Sequence, residues 1–285
     1  MSQPELPSGV SLTAITIARE RSVETHRTDR LFRDDLAGAF CTAARKAIGP
    51  KSFPGFDSTL SEFAPLFRGY MALRTRFLDD QLLAACAAGC KQVVILASGL
   101  DARAYRLPWP AGVRLFELDK AELLAFKKRV VEEQTAETRC ERVEVPIDLR
   151  DDWTLALRAV GFQPGVPTAW LAEGLLIYLT NEDNDRLLRR VGTLSAPGSQ
   201  FALEHADSRV MKQPALAEIE AGTLAKEGIS WPSGVDDPIA WLKGHGWRAS
   251  TLDMDAYARS FGRTVPPVFA RSSATGRLWL IRATR

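Results

Sequence analysis

The chain has 285 residues, of which 46% are hydrophobic and 25% charged, and its formal net charge is +2. This length allows one large domain or two small ones, and it suffices to bury a core without disulfides. The near-neutral charge excludes a strongly basic nucleic-acid-binding protein and gives no reason to expect binding to a membrane surface. An anionic small substrate stays compatible with it, because a pocket can be basic on a neutral protein.

The cysteines and the N-terminus indicate the compartment. Four cysteines are too few for a secreted disulfide scaffold, and no second ligand pair follows Cys86 and Cys90 at zinc spacing. We therefore expect buried thiols and no metal site. The N-terminus has no apolar run long enough for a signal peptide or a membrane-spanning helix. These observations predict a cytoplasmic protein.

The first 90 residues have a helical pattern. Apolar residues recur near helical spacing over 12–23 and 36–40. Proline and glycine predict a loop over 49–55, and a further helix is predicted over 70–88.

Beyond this part, short runs of apolar, often β-branched residues alternate with helical segments. The predicted strands are 92–97, 114–119, 142–148, 168–176 and 199–205. The predicted helices between them are 101–107, 121–133, 151–160 and 182–194. Such alternation implies right-handed crossovers and an α/β fold with a doubly wound, mostly parallel, Rossmann-like sheet.

The last part of the chain departs from this alternation. Residues 207–235 are irregular and partly helical, and they are longer than a connection requires. A helix over 238–245 precedes two strands, 247–253 and 276–282, which we expect to form an antiparallel pair at the sheet edge. These two strands would bring the sheet to seven.

The carboxyl ends of the predicted strands collect small residues and acids. Ligands of a doubly wound sheet bind at this edge. The turn Ala97-Ser98-Gly99 follows the first strand, and Asp119, Asp148 and Glu173 follow the next three. Any one acid has an ordinary explanation as a helix cap or a solvated group. Three at successive strand ends favour a ligand site.

Each group suits one part of a ligand. Small residues let a ligand approach the backbone, and Asp119 lies 20 residues after Gly99, a spacing that places a carboxylate on ribose hydroxyls. Asp148 is suited to an exocyclic amine such as that of adenine, with Leu149 as an apolar face. Glu173 is suited to a cation. The sequence therefore predicts a ligand with a ribose, an adenine and a positive charge.

A nicotinamide dehydrogenase is the obvious alternative. Its first turn needs three glycines, G-x-G-x-x-G, so that a pyrophosphate can approach. Here the turn has only Gly99. S-adenosylmethionine fits better, because it has a ribose, an adenine and a sulfonium but no phosphate.

The segment 93–107 resembles the signature of the leucine carboxyl methyltransferase family, and more narrowly its bacterial branch of S-adenosylmethionine-dependent methyltransferases. The pair Glu117-x-Asp119, the step 148–150, the segment 171–179 and Arg74 follow in the family's order. The resemblance extends over nearly the whole chain. It implies a sheet of the class I methyltransferase type.

The resemblance also implies roles for single residues. Arg74 would bind the methionine carboxylate of the cofactor, and Glu173 would lie close to the methionine part. Arg19 or Arg21 would supply a further contact. The full set implied for cofactor binding is Arg74, Ala97, Ser98, Gly99, Asp119, Asp148, Leu149 and Glu173. Many members have Gly-x-Gly in the first turn. Here the methyl group of Ala97 narrows the space in which the cofactor approaches the backbone.

Two residues are candidates for catalysis. His205 follows the fifth strand and is the best candidate for a base, although a histidine there can simply end a strand. Tyr178 is suited to contact the substrate, and a packing role is about equally expected of it.

We expect O-methylation of a small molecule at a carboxyl or hydroxyl group, with no nucleic-acid or membrane partner. The alternatives are carboxyl methylation of a protein C-terminus and a catalytically inactive cofactor-binding protein. The chain is expected to form one domain with four parts, and the sequence leaves its oligomeric state open. These parts are a helical cover (1–90), a cofactor-binding half (91–206), a lid (207–235) and a C-terminal helix with edge strands (236–285).

Overall fold

Three helices precede the sheet. The computed structural model describes residues 10–48, 53–225, 228–269 and 276–285. The helices are α1 (Val10–Thr25), α2 (Asp35–Ile48) and α3 (Phe53–Ala87). The predicted helical character is confirmed, but α3 is 35 residues long and begins inside the segment predicted as a loop. Pro54 is compatible with that start, because the first turn of a helix does not need a proline N–H. Residues 49–52 lie outside the described residues.

Within the described residues, seven strands form one sheet. They are β1 (Gln92–Leu96), β2 (Arg114–Asp119), β3 (Glu141–Pro146), β4 (Thr168–Ala172), β5 (Gln200–Ala206), β6 (Arg248–Thr251) and β7 (Leu278–Thr284). Their order is β3-β2-β1-β4-β5-β7-β6, with β7 antiparallel to both its neighbours and the other pairs parallel. The predicted doubly wound sheet, with its antiparallel pair at one edge, is confirmed. The strand order reverses between β1 and β4, which is where such sheets bind ligands.

The other helices are α4 (Arg103–Arg106), α5 (Ala121–Glu133), α6 (Trp153–Ala159), α7 (Asn181–Thr193), α8 (Pro214–Ile219), α9 (Pro238–Gly244) and α10 (Met254–Ser260). The sequence pattern did not predict α10. Its start has a recognisable signal, because the Asp253 side chain accepts a hydrogen bond from the backbone N–H of Ala256.

Apolar layers cover both faces of the sheet, because alternate residues of a strand point to opposite sides. Val93, Ile95 and Leu171 lie in the layer that includes α3. Val94 and Trp170 lie in the opposite layer, with α6, α7 and α9. The α3 layer positions the site described below. None of the helices in the described ranges combines the length and apolar character of a bilayer-spanning segment.

The central strand β4 should control stability. We expect Leu171→Ala to lower the free energy of unfolding by about 2–5 kcal/mol, because its fully buried side chain would leave a cavity. The matched control is Leu155→Ala in α6, whose side chain is 65% exposed and should change stability by less than about 0.5 kcal/mol. Urea unfolding followed by circular dichroism measures both, and equal losses would contradict the burial pattern.

Candidate functional site

The turn after β1 is joined to the end of β2. The backbone N–H of Gly99 donates to Asp119 Oδ2 at 2.6 Å, and that of Lys120 donates to Asp119 Oδ1 at 2.7 Å. Burial raises the pKa of Asp119, although these two N–H groups oppose the shift. The buried Ser98 hydroxyl has no hydrogen-bond partner among the described residues. The turn and Asp119, which the sequence predicted to share a site, therefore lie together.

Two residues of this turn have left-handed backbone conformations. Gly99 and Ala97 both have φ near 51°. A Cβ added at Gly99 would lie 3.6 Å from the Cβ of Ala14, so α1 passes directly over the turn. Ala97 adopts a conformation that favours glycine, the residue that many family members have in this turn. The alanine is therefore accommodated at some cost in backbone strain.

Asp148 lies beside the end of β2. The backbone N–H of Ile147 donates to the Asp119 carbonyl at 2.8 Å, and Lys120 Nζ lies 4.0 Å from Asp148 Oδ2. The Arg150 guanidinium donates to both Asp148 oxygens, at 3.0 and 2.6 Å, and lowers the pKa of Asp148 to about 2. Leu149 is partly buried in the α6 layer. Asp119 and Asp148, the two acids predicted to bind ribose and adenine, thus lie next to each other at the carboxyl ends of β2 and β3.

Arg74 of α3 joins the ends of β4 and β5. Its Nε lies 3.0 Å from Glu173 Oε1, and its Nη1 lies 2.8 Å from Glu204 Oε1. Glu204 also accepts from the Tyr70 hydroxyl at 2.6 Å and from the Gly174 backbone N–H at 3.0 Å. The structure therefore brings Arg74 and Glu173 together, as the resemblance implied.

A second guanidinium binds Glu173 from the other side. Arg103 donates from Nη1 to Glu173 Oε2 at 2.7 Å and from Nε to Asp79 Oδ1 at 2.7 Å. The Asp101 carboxylate accepts from the same Nη1 and from the Arg103 backbone N–H. Arg106 donates to both Asp79 oxygens, at 2.6 and 2.7 Å. Carboxylates and guanidiniums thus alternate along a continuous buried chain.

This ion chain reaches the N-terminal helices. Arg106 Nε lies 3.9 Å from Asp34 Oδ2, and Arg21 Nε donates to the same oxygen at 2.7 Å. Arg21 Nη2 also donates to the Leu100 carbonyl at 2.6 Å. Of the two arginines considered for an N-terminal contact, Arg21 therefore approaches the first turn, whereas the side chain of Arg19 is 41% exposed and pairs with Glu20.

The sequence analysis missed Asp79, Arg103 and Glu204. A signal existed for Glu204, since an acid inside a predicted buried strand needs a partner. For Arg103 the signal was an arginine two residues after Asp101. Burial raises the pKa of Glu173, but Arg103 and Arg74 outweigh burial and hold it below its usual value. Glu173 is therefore an anion at neutral pH.

The two candidate catalytic residues lie apart. Tyr178 ends the short helical turn Leu176–Tyr178 on the α3 side, where its side chain interacts with Trp231 and Thr13, and burial raises its pKa. His205 points to the opposite face, with its ring 5.7 Å from that of Trp241. Burial lowers the pKa of His205 to about 4. Since neighbouring strand residues alternate in direction, His205 faces away when Glu204 faces Arg74.

The expectation of buried thiols is met by two of the four cysteines. All four are free, Cys86 and Cys90 are buried, and Cys41 and Cys140 are half-buried. Burial raises the pKa of the Cys41 thiol to about 11, which disfavours the reactive thiolate. In the described ranges, no group of acids, histidines and cysteines is arranged to hold a metal ion.

Replacing Ala97 should test the strain in the turn. We expect Ala97→Gly to raise the free energy of unfolding by about 0.5–1 kcal/mol, because relief of the left-handed conformation exceeds the added chain entropy of glycine. Ala102→Gly is the control, since Ala102 has φ −113° and a buried methyl group, and it should be destabilising. Equal losses in chemical denaturation would show that Ala97 is unstrained.

Acid should weaken the ion chain. Burial raises the pKa of Asp101, but Arg103 and Lys127 outweigh burial and lower it to about 2, below the value of about 3.9 for an unfolded chain. Its contribution to stability is therefore present above about pH 5 and is lost as the pH falls through about 4 to 2. We expect the free energy of unfolding to fall less steeply over this range in Asp101→Asn than in the wild type. The exposed Asp151→Asn should keep the wild-type slope in urea titrations at each pH.

Comparison with known proteins identifies the family. The family model of leucine carboxyl methyltransferase matches residues 14–192. A protein of Parafrankia sp. (strain EAN1pec), named as a candidate S-adenosyl-L-methionine-dependent methyltransferase, is 45% identical over 261 residues, which cover 91% of this chain and 83% of the relative. A similarly named protein of Streptomyces coelicolor is 41% identical over 273 residues, 95% of each chain. The crystal structure of a DUF574 family protein from Streptomyces avermitilis shares the fold, with a TM-score of 0.62 at 13% identity over 98% of both chains. The chain therefore belongs to the leucine carboxyl methyltransferase family.

Proposed function

We propose that this chain transfers the methyl group of S-adenosylmethionine to an oxygen of a small molecule. One observation carries the proposal. At the carboxyl ends of the strands, the turn after β1 binds the Asp119 carboxylate of β2, and across the switch point the buried Arg74 pairs with Glu173 at the end of β4. Family membership supports the same reaction class.

The residues at this edge fit the cofactor part by part. Asp119 offers carboxylate oxygens to ribose hydroxyls, Asp148 and Leu149 suit adenine, and Glu173 suits an ammonium group. Within the described residues, the contacts of Arg74 use Nε and Nη1, which leaves Nη2 as a donor for the cofactor carboxylate. When bound, the cofactor supplies an electrophilic methyl carbon. The protein then has to hold two reactants in line and exclude water, which can lower a barrier by roughly 7–11 kcal/mol.

The N-terminal helices and residues 207–235 supply the cover and the lid in this proposal. Ala14 of α1 lies over Gly99, and Tyr178 interacts both with Thr13 of α1 and with Trp231. Ser233 donates to the Leu176 carbonyl at 2.8 Å. Six buried apolar side chains of the lid join the α3 layer: Val210, Leu216, Ile219, Leu224, Ile229 and Trp231. We infer that an acceptor beneath the lid has an apolar body.

The proposed site favours a carboxylate over a hydroxyl as the acceptor group, because the two differ in their need for a base. A carboxylate is ionised at neutral pH and needs no base, whereas an alcohol does. His205 lies on the far face, and in the described part of the chain no histidine contacts Arg74, Glu173 or Glu204. The proposed reaction therefore uses Tyr178 to line the acceptor space and does not use His205.

Cofactor binding is the first test. We expect the wild type to bind S-adenosylmethionine and S-adenosylhomocysteine in calorimetric titrations, and Asp119→Asn to weaken both by roughly 10–100-fold, because hydrogen bonds to a charged group are lost. The matched control is Asp151→Asn, which removes an exposed carboxylate and should bind as the wild type does. Absence of binding to the wild type would overturn the proposed function.

The bond formed identifies the acceptor. We expect labelled methyl groups from S-adenosylmethionine to appear in apolar carboxylic acids rather than in phenols of the same size. Methyl esters release volatile methanol in mild base, whereas methyl ethers do not, so base treatment separates the products. Label found only in ethers would show that the acceptor group is a hydroxyl and not a carboxylate. Cofactor binding without any methyl transfer would favour an inactive cofactor-binding protein.

A further inference from the structure

We propose that Arg103 is a positioning residue that fixes the carboxylate of Glu173 for the ammonium group of the cofactor. This inference rests on the proposed function. Neither the sequence motifs nor the comparisons assign this role to Arg103, which is only 2% exposed and therefore acts through its neighbours.

Glu173 is held at both oxygens by guanidiniums from two different helices. Oε2 accepts from Arg103 Nη1 at 2.7 Å, and Oε1 lies 3.0 Å from Arg74 Nε. The hydrogen bond from Arg103 defines the direction of the carboxyl group, and the ion pair with Arg74 helps to hold its position. If Arg103 were absent, Arg74 alone would hold Glu173, and Arg74 is shared with Glu204.

Arg103 is itself immobilised by the protein. Its Nε donates to Asp79 Oδ1 at 2.7 Å, its Nη1 also pairs with Asp101, and its carbonyl accepts from the indole N–H of Trp109 at 2.8 Å. A guanidinium can hold three carboxylates in one plane with separate N–H groups, and a lysine ammonium cannot reproduce that geometry. Asp79 of α3 and Asp101 of the turn after β1 therefore fix Arg103, and Arg103 in turn orients Glu173.

The charge of Glu173 depends on the same contact. The charged groups that act on it are Arg74 of α3, Asp101 of the β1 turn, Arg103 of α4, Arg21 of α1 and, through Arg74, Glu204 of β5. Burial and Asp101 both raise the pKa of Glu173. Without Arg103, only the more weakly coupled Arg74 and Arg21 would counteract them. Glu173 would then take up a proton at a higher pH and lose the charge that attracts an ammonium group.

Arg106 provides a matched control. It pairs with both oxygens of Asp79, as a second buried guanidinium of the same ion chain, but it does not contact Glu173. Replacing either arginine by methionine removes one buried charge from Asp79. Arg103→Met in addition releases Glu173 and Asp101, whereas Arg106→Met releases neither of them.

The test is calorimetric binding of two ligands between pH 6 and 8. S-adenosylmethionine has the amino acid part, whereas 5′-methylthioadenosine keeps the adenine, ribose and sulfur but has no amino acid. We expect Arg103→Met to weaken S-adenosylmethionine by about 10-fold or more at pH 7, with a further loss towards pH 6, and to change 5′-methylthioadenosine by less than about 3-fold. Arg106→Met should lower the melting temperature without this ligand difference or pH dependence.

Each other outcome is decisive. Equal weakening of the two ligands by Arg103→Met, or the same ligand difference in Arg106→Met, would show a purely structural role and overturn the inference. If Arg103→Met does not fold, Arg103→Lys keeps the charge and is judged by the same ligand ratio. Failure of the wild type to bind either ligand would instead count against the proposed function.

Discussion

The pairing of buried carboxylates with buried guanidiniums is the constraint on which this structure depends. A charge removed from water is tolerated only when a partner and its hydrogen bonds replace the solvent. The ion chain that begins at Asp34 and ends at Glu204 supplies the charged partners by alternation, with each described acid paired to at least one arginine. Its members come from the N-terminal helices and the residue before α2, the turn after β1, α4, the end of β4, and β5. The ion chain therefore fixes how these elements pack against one another.

The long helix α3 is central to that arrangement. It presents Tyr70 and Arg74, one turn apart, to Glu204 of β5 and Glu173 at the end of β4, and it presents Asp79 to Arg103 and Arg106 of α4. One helix thereby aligns both acids that follow the switch point. The same helix packs on the apolar layer of the sheet, so the position of the charges is set by hydrophobic burial rather than by the ion pairs alone.

The proposed site combines groups of fixed orientation with segments that we propose to cover it. Asp119 is restrained by two backbone N–H groups and Glu173 by two guanidiniums, so their orientation does not have to be acquired when a ligand arrives. Such preorganisation suits a reaction that needs alignment more than proton transfer. The contacts of Tyr178 with Thr13 and Trp231 link both covering segments to the turn after β4.

The sequence by itself determined the alternation of strands and helices, the parallel sheet and the small turn with three acids at its edge, because these follow from local periodicity and strand order. It placed Arg74 only by family resemblance. The tertiary structure decided which side of β5 faces Arg74: Glu204 pairs with it, and His205 points to the opposite face. It also showed Arg103 to be the second partner of Glu173, 70 residues away in the chain. Such pairs are set by packing between distant elements, and no local pattern records them.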